Sequence, residues 1–284
     1  MKTIQKIFSS LGTLNTITVY INENESEKVK NILDKVEQYV NEIDDKFSIF
    51  KDTSEISNIN KNAGIEPVNV SDDTFEILKL SKKYSLVTDG AFDITMQNYN
   101  DIILDEENQS VMLKNKEQAI DLGGIAKGYV IDKIIEIFKE NKIENAIINL
   151  GGTIYNIGET RNIGIRNPFN PINISKKDES IITIESENEI FVTSGLYEQG
   201  EHIINPKTSK KVETNIISVS IIGNNGAEQD AIATACFVLG TEKSVKLLKK
   251  RNLQGIFIFN NGQIFATDGL KDRINLIKGV QNYE

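Results

Sequence analysis

The 284-residue sequence predicts an α+β fold, with mixed, largely antiparallel sheets and flanking helices. Short apolar strands arrive in adjacent runs, as at 255–259 and 263–266 around the turn Asn260-Asn261-Gly262, which is hairpin chemistry. Segments of helical period are interspersed with them, a pattern that favours α+β over a doubly wound parallel sheet. No repeat and no linker divides the chain, so it reads as one domain over 1–284 or as two intimately packed subdomains.

Taken in order, 16–21 reads as a strand. Residues 24–45 read as a long amphipathic helix, because Val29, Ile32, Leu33, Val36, Val40 and Ile43 share one side. A second helix is expected over 72–85 and a strand over 110–114. Helix 125–140 follows from the near-helical spacing of Ile125, Val130, Ile134, Ile135 and Phe138. Strands are expected at 145–150, 162–166, 181–185 and 190–193, with the polar stretch 167–190 read as an excursion or hairpin. Strand 216–222 precedes a helix over 227–239, which continues as a separate helix over 242–251 before the closing hairpin.

A hydrophobic content of 39% is ample for a core. The formal net charge of −9, with no dense Lys/Arg cluster, argues against general binding to nucleic acid or to an anionic membrane. The single cysteine, Cys236, excludes an internal disulfide, and the single histidine, His202, excludes a Cys/His zinc site. Any metal should therefore be hard and oxygen-bound. Cys236 lies in an apolar run and reads as a buried structural thiol. No segment reaches the roughly 18 to 20 apolar residues of a membrane span. The N-terminus has neither a continuous apolar signal core nor a cysteine for lipid attachment, so the chain as written reads as soluble and cytoplasmic. A chain from which a leader had been removed would look the same.

The most informative segment is Asp121-Leu122-Gly123-Gly124-Ile125-Ala126-Lys127-Gly128, where an acid, two glycines and a lysine stand at the start of a helix. Free N–H groups and the helix dipole favour an anion there, Lys127 can neutralise phosphate, and Asp121 can accept from a ribityl, sugar or base donor. A tight turn would look similar, and the spacing fits neither the dinucleotide fingerprint nor the P-loop. Asp230 and Thr234, four apart on a helix, share a face and can share one magnesium; a helix-capping Asp and a back-bonded Thr are the alternative. Asp89-Gly90-Ala91-Phe92-Asp93-Ile94-Thr95 combines a turn, an aromatic and two acids. Thr193-Ser194-Gly195 and His202-Ile203-Ile204-Asn205-Pro206 add hydroxyls and a group titrating near neutrality. No Gly-x-Ser-x-Gly elbow supports a Ser-His-Asp hydrolase.

In this order the segments resemble the ApbE family, the FAD:protein FMN transferases. The matching stretches are Leu11-Gly12-Thr13, Phe47-Ser48-Ile49-Phe50 with Ser54-Glu55-Ile56 and Asn60, residues 89–95, 121–129 and 149–152, Ile165-Arg166-Asn167-Pro168, Thr193-Ser194-Gly195, 202–206 and 230–234. The resemblance covers about 11–270. It implies an ApbE-like, T-fold-like architecture and an enzyme that takes FAD with Mg2+, transfers FMN to a threonine hydroxyl of a target flavoprotein and releases AMP. It implies acceptors such as an Rnf or NADH:quinone reductase subunit, and a place of action outside the cytoplasm.

Carried over by position, Leu11, Phe50, Ala91, Phe92, Asp93, Asp121, Lys127 and Ile204 are implied to contact FAD. Gly124, through its carbonyl, Asp230 and Thr234 are implied around magnesium, with Asp230 and His202 the catalytic candidates and His202 accepting the threonine proton. The chain departs from the family pattern at Ala233, where an acid is frequent, at Leu11 for methionine, Phe50 for tyrosine, Asn205 for aspartate and Ser209 for glycine. An FAD pyrophosphatase yielding FMN and AMP, or a non-catalytic FAD-binding protein, are the alternative functions.

Overall fold

A computed structural model describes residues 2–169, 180–196 and 203–276. Its centre is an eight-stranded sheet in the order β1-β2-β6-β7-β10-β13-β14-β15. These strands are β1 (Lys2–Ser10), β2 (Thr13–Ile21), β6 (Ala146–Leu150), β7 (Thr153–Ile157), β10 (Ile190–Gly195), β13 (Ile216–Gly223), β14 (Gln254–Phe259) and β15 (Ile264–Ala266). A sheet of β3 (Val68–Asn69), β5 (Ser110–Leu113) and β4 (Ile102–Asp105), another of β16 (Ile274–Leu276), β9 (Ser180–Ser186) and β8 (Arg161–Arg166), and the hairpin β11 (Ile204–Asn205) with β12 (Lys210–Lys211) complete the strands. Every strand pair among the described residues is antiparallel, which carries the expected antiparallel character through without a parallel component.

One face of the large sheet is covered by helices. α1 (Ser26–Phe47) buries Val29, Ile32, Leu33, Val36, Val40 and Ile43, the stripe read from the sequence. α3 (Asp72–Val87), α4 (Ala126–Glu140) and α5 (Gly226–Arg251) share that core, with α2 (Glu55–Lys61) beside them. Ile17, Ile148, Val192 and Ile221 supply the sheet's side of it, with 0% exposure. The opposite face packs Phe191, Ile222, Ile256 and Ile258 against Ile163, Ile165, Ile182 and Ile184 of the β16-β9-β8 sheet, so two cores flank one sheet. Burying these side chains follows from alternation: successive strand residues point to opposite faces.

The structure adjusts several expected elements. β1 was not expected, because Lys2–Ser10 carries only two deeply buried apolar side chains, Ile4 and Phe8. Its hairpin turn is Leu11-Gly12, with φ of +55° and +69°, the left-handed pair that a two-residue hairpin turn needs. β4, β7 and α2 also come from segments whose periodicity is too short to read. The helices expected over 227–239 and 242–251 form one element broken at Gly240, where φ is +71° and ψ is 168°. Among the described residues no helix is long and apolar enough to cross a membrane.

Candidate functional site

Four chain segments and one helix face meet at a cavity of about 160 Å³. The turn after α3 brings Ala91, Phe92 and Asp93; the turn before α4 brings Asp121, Gly123, Gly124 and Lys127; α5 brings Asp230 and Thr234. Ile204, with Ile203 and Pro206, closes the cavity from the β11–β12 hairpin, and Thr193, Ser194 and Gly195 form the end of β10 beside it. Nine of the residues proposed from the sequence thus share one cavity.

The α3 turn is braced from within. Thr88 bonds its hydroxyl back to the Tyr84 carbonyl at 2.8 Å and receives the Phe92 N–H at 3.1 Å. The Asp93 carboxylate accepts from the Thr95 N–H, the Thr95 hydroxyl and the Tyr99 N–H at 2.7–2.9 Å. Burial pushes the Asp93 carboxyl up, against those three bonds. Its side chain is thus engaged in the loop, and what Asp93 offers the cavity is chiefly backbone.

The α4 turn is held from two sides. Asn60 of α2 grips Ile120 at both backbone groups, accepting its N–H at 2.7 Å and donating to its carbonyl at 3.0 Å. The Asp121 N–H donates to the Ile94 carbonyl at 2.8 Å, which joins this turn to the α3 turn. Gly123 donates its own N–H to the Asp121 carboxylate at 2.8 Å. That donor is occupied, as are the Ala126 N–H, on the Leu122 carbonyl, and the Gly128 N–H, on Asp230, so the expected anion-binding role of this turn rests chiefly on Lys127. Gly124 lies so close to α5 that a Cβ there would stand 3.0 Å from Thr234 Oγ1 and 3.3 Å from Phe92 Cε2. Gly124, Thr234 and Phe92 therefore converge.

Asp230 is 2% exposed and accepts the Gly128 N–H through Oδ2 at 2.9 Å. Burial raises its carboxyl above the usual range, and Lys127 and the Gly128 N–H oppose that rise. Among the described residues no group of three or more His, Cys, Asp or Glu side chains gathers as a metal site. The donor set here is one buried carboxylate, one hydroxyl and the Gly124 turn. That suits a hard cation that completes its shell with water and substrate phosphate, so the residues fit magnesium through few protein ligands.

A second cavity of about 570 Å³ opens toward the β16-β9-β8 side. It is lined by Leu11 to Leu14, Asn149, Gly151, Gly152, Arg166 and Phe191, and it shares Lys127 and Thr193 with the first. Leu11 belongs here, apart from the other proposed residues. Its N–H is held at 3.1 Å by Asp44, which also pairs with Lys51 of the neighbouring loop. Left-handed backbone at a leucine is uncommon, and such positions gather at ligand sites. Phe50 lines neither cavity and is 91% exposed, since its loop turns outward after Phe47. His202 lies outside the described residues. Sequence reasoning passed over Asp44, which fixes Leu11, and Asp132, which accepts two α5 backbone donors. An acid within the apolar stripe of 125–140 was the one available signal for Asp132.

The antiparallel α+β scaffold places Lys127 on the wall of two cavities, with the buried Asp230 carboxylate beside it in the first. The chain belongs to the ApbE family, whose model matches residues 11–99 and 96–257. The FAD:protein FMN transferase of Klebsiella pneumoniae (strain 342) is 27% identical over 270 residues, covering 82% of this chain and 84% of that protein. The FAD:protein FMN transferase of Treponema pallidum (strain Nichols) is 27% identical over 319 residues, covering 94% and 87%. Among solved structures, the ApbE protein of Thermotoga maritima superposes with a TM-score of 0.82 at 25% identity, over 94% of this chain and 98% of that one. The flavin transferase ApbE of Vibrio cholerae gives 0.82 at 21% identity, over 96% and 99%, a likeness of fold.

Proposed function

We propose that this chain transfers the FMN part of FAD to a threonine hydroxyl of a protein acceptor and releases AMP. The observation that carries the reading is the convergence of Lys127, the Asp121–Gly124 turn and the Asp230/Thr234 pair on one cavity in a member of this family. Lys127 and Thr193 line both cavities, so a dinucleotide with its diphosphate at Lys127 extends one half toward Ala91–Asp93 and the other toward Leu11. Phe50 stands exposed in the loop that Lys51 ties to Asp44, available as a flat apolar surface for a ring.

In this reading the threonine oxygen attacks the FMN phosphorus, the bond from that phosphorus to the bridging oxygen breaks, and AMP leaves with the oxygen. His202 takes the hydroxyl proton. Lys127 and the dipole of α4 neutralise charge where it gathers on the diphosphate, and the hairpin at Ile203–Pro206 keeps water from it. Asp230, Thr234 and the Gly124 carbonyl would hold magnesium, which when bound supplies charge screening for the diphosphate and the departing AMP. The acceptor is a flavin-carrying protein such as an Rnf or NADH:quinone reductase subunit.

The test is to incubate the protein with FAD and Mg2+, with and without an acceptor domain bearing the threonine, and to record AMP and the acceptor's intact mass. An FMN adduct that disappears in EDTA and in Asp230→Ala, with flavin binding in Asp230→Ala kept within a few-fold, is the expected result. AMP without an adduct would make the chain a pyrophosphatase, and full transfer by Asp230→Ala would remove the metal assignment.

A further inference from the structure

α4 and α5 start against each other at a glycine pair. A Cβ on Gly128 would lie 2.1 Å from the Gly226 carbonyl oxygen, and one on Gly226 would lie 2.4 Å from that of Gly128, so the backbones themselves touch. No side chain spaces the two first turns at this point. Their relative position is fixed by hydrogen bonds running in both directions. Gly128 of α4 donates to Asp230 of α5 at 2.9 Å. Gly226 and Ala227 of α5 donate to the two carboxylate oxygens of Asp132 on α4, at 2.7 and 2.9 Å. Each helix thus uses a carboxylate of the other to satisfy backbone donors that have no partner within their own first turn.

We infer that Asp132 is a positioning residue for the transfer site: by holding Gly226 and Ala227 it sets the register in which Asp230 meets Gly128 and faces the first cavity. Ala227 and Asp230 are within one helical turn of each other, so a displacement of the first passes directly to the second. The rest of the α5 start is separately secured. Asn225 caps it by accepting the Glu228 N–H at 2.8 Å, and Gln229 ties it to the Ile190 and Ile221 carbonyls at 2.7 and 3.0 Å. Asp132 is therefore the link from α4, where Lys127 and Gly128 reside, to the first residues of α5, while Gln229 attaches that start to the sheet and Asn225 caps it. The catalytic consequence rests on the function proposed above; the geometric one does not.

Glycine-selective 15N labelling of the ligand-free protein reads both halves of the exchange, because Gly226 donates to Asp132 and Gly128 donates to Asp230. In Asp132→Ala, and to a smaller extent in Asp132→Asn, which keeps one acceptor oxygen, both amide resonances should move and both amides should exchange faster. In Asp230→Ala only Gly128 should move. With FAD, Mg2+ and the threonine-bearing acceptor domain, Asp132→Asn should lower kcat for AMP release about tenfold at a KM for FAD within about twofold, as a misplaced group does. If Gly226 moves and Gly128 stays in a folded Asp132 variant, Asp132 is only a cap and the inference falls. Lost kcat that merely follows the folded fraction would overturn it equally. Were the wild type to release no AMP, the proposed function would fail, while the two glycine signals would still decide the geometry.

Discussion

At the floor of the first cavity, α4 and α5 exchange buried and partly buried hydrogen bonds between backbone amides and two carboxylates; at the rim of the second, Leu11 hangs from Asp44, whose other oxygen faces an open Lys51. The floor is made of backbone contacts too close for any side chain to intervene, in surroundings where an unmet donor or charge is costly. The rim is made of solvated charge and a strained turn, where each contact contributes little and can be exchanged. A site assembled this way keeps its reacting centre fixed and leaves its outer contacts free to vary. The departures from the family pattern follow that division in part: Leu11 belongs to the rim and Phe50 to the exposed loop next to it, although Ala233 lies on α5 itself, fully buried.

The largest test of the contrast is Gly128→Ala. The added methyl would meet the Gly226 carbonyl oxygen at 2.1 Å, so α5 must move, with a loss of about 3 kcal/mol or more and of AMP release together. Thermal unfolding and a turnover assay measure both, and a variant that kept wild-type values would show that the floor yields as easily as the rim.

An intermediate effect should come from pH. Burial raises the Asp132 carboxyl to about 6, with Glu136 adding to the rise and Lys133 and the two α5 amides opposing it. A carboxyl whose folded pKa lies above its unfolded value contributes stability that is complete below about 4 and is lost as pH rises through about 6. Unfolding midpoints across that window should therefore flatten in Asp132→Asn. A profile that kept its slope would assign the window to another group.

The smallest effect is expected at the rim. Asp44→Ala removes the acceptor for the Leu11 N–H and one Lys51 contact, for a loss of about 1 kcal/mol in stability and a few-fold weaker FAD binding by flavin fluorescence. A loss above about tenfold in affinity would place the rim on the same footing as the floor.

What could be read in advance divides along related lines. The stripe of α1, the start of α4 and the Asp230/Thr234 pair were legible because each is a local spacing along one helix. The convergence of 89–95 with 121–128 was legible only through family resemblance, since the bonds that join them, such as Asp121 N–H to Ile94, carry no local pattern. β1 was hidden by its polar alternation, and the Leu11-Gly12 turn by a leucine where hairpin chemistry favours Asn or Asp before Gly. Asp44 and Asp132 act on residues 33 and 94 positions away, so their roles exist only once the chain has folded.

That separation has a consequence for the order in which the molecule is made. Gly128 and Asp230 lie 102 residues apart, and the strands β6 to β10 and β13 are laid down between them. A nascent chain ending near residue 140 already carries the lysine and the glycine turn, yet lacks the acid that completes them. The centre therefore closes late in synthesis, when the last third of the chain returns across the sheet, and a long-range contact of this kind is among the slower ones to form.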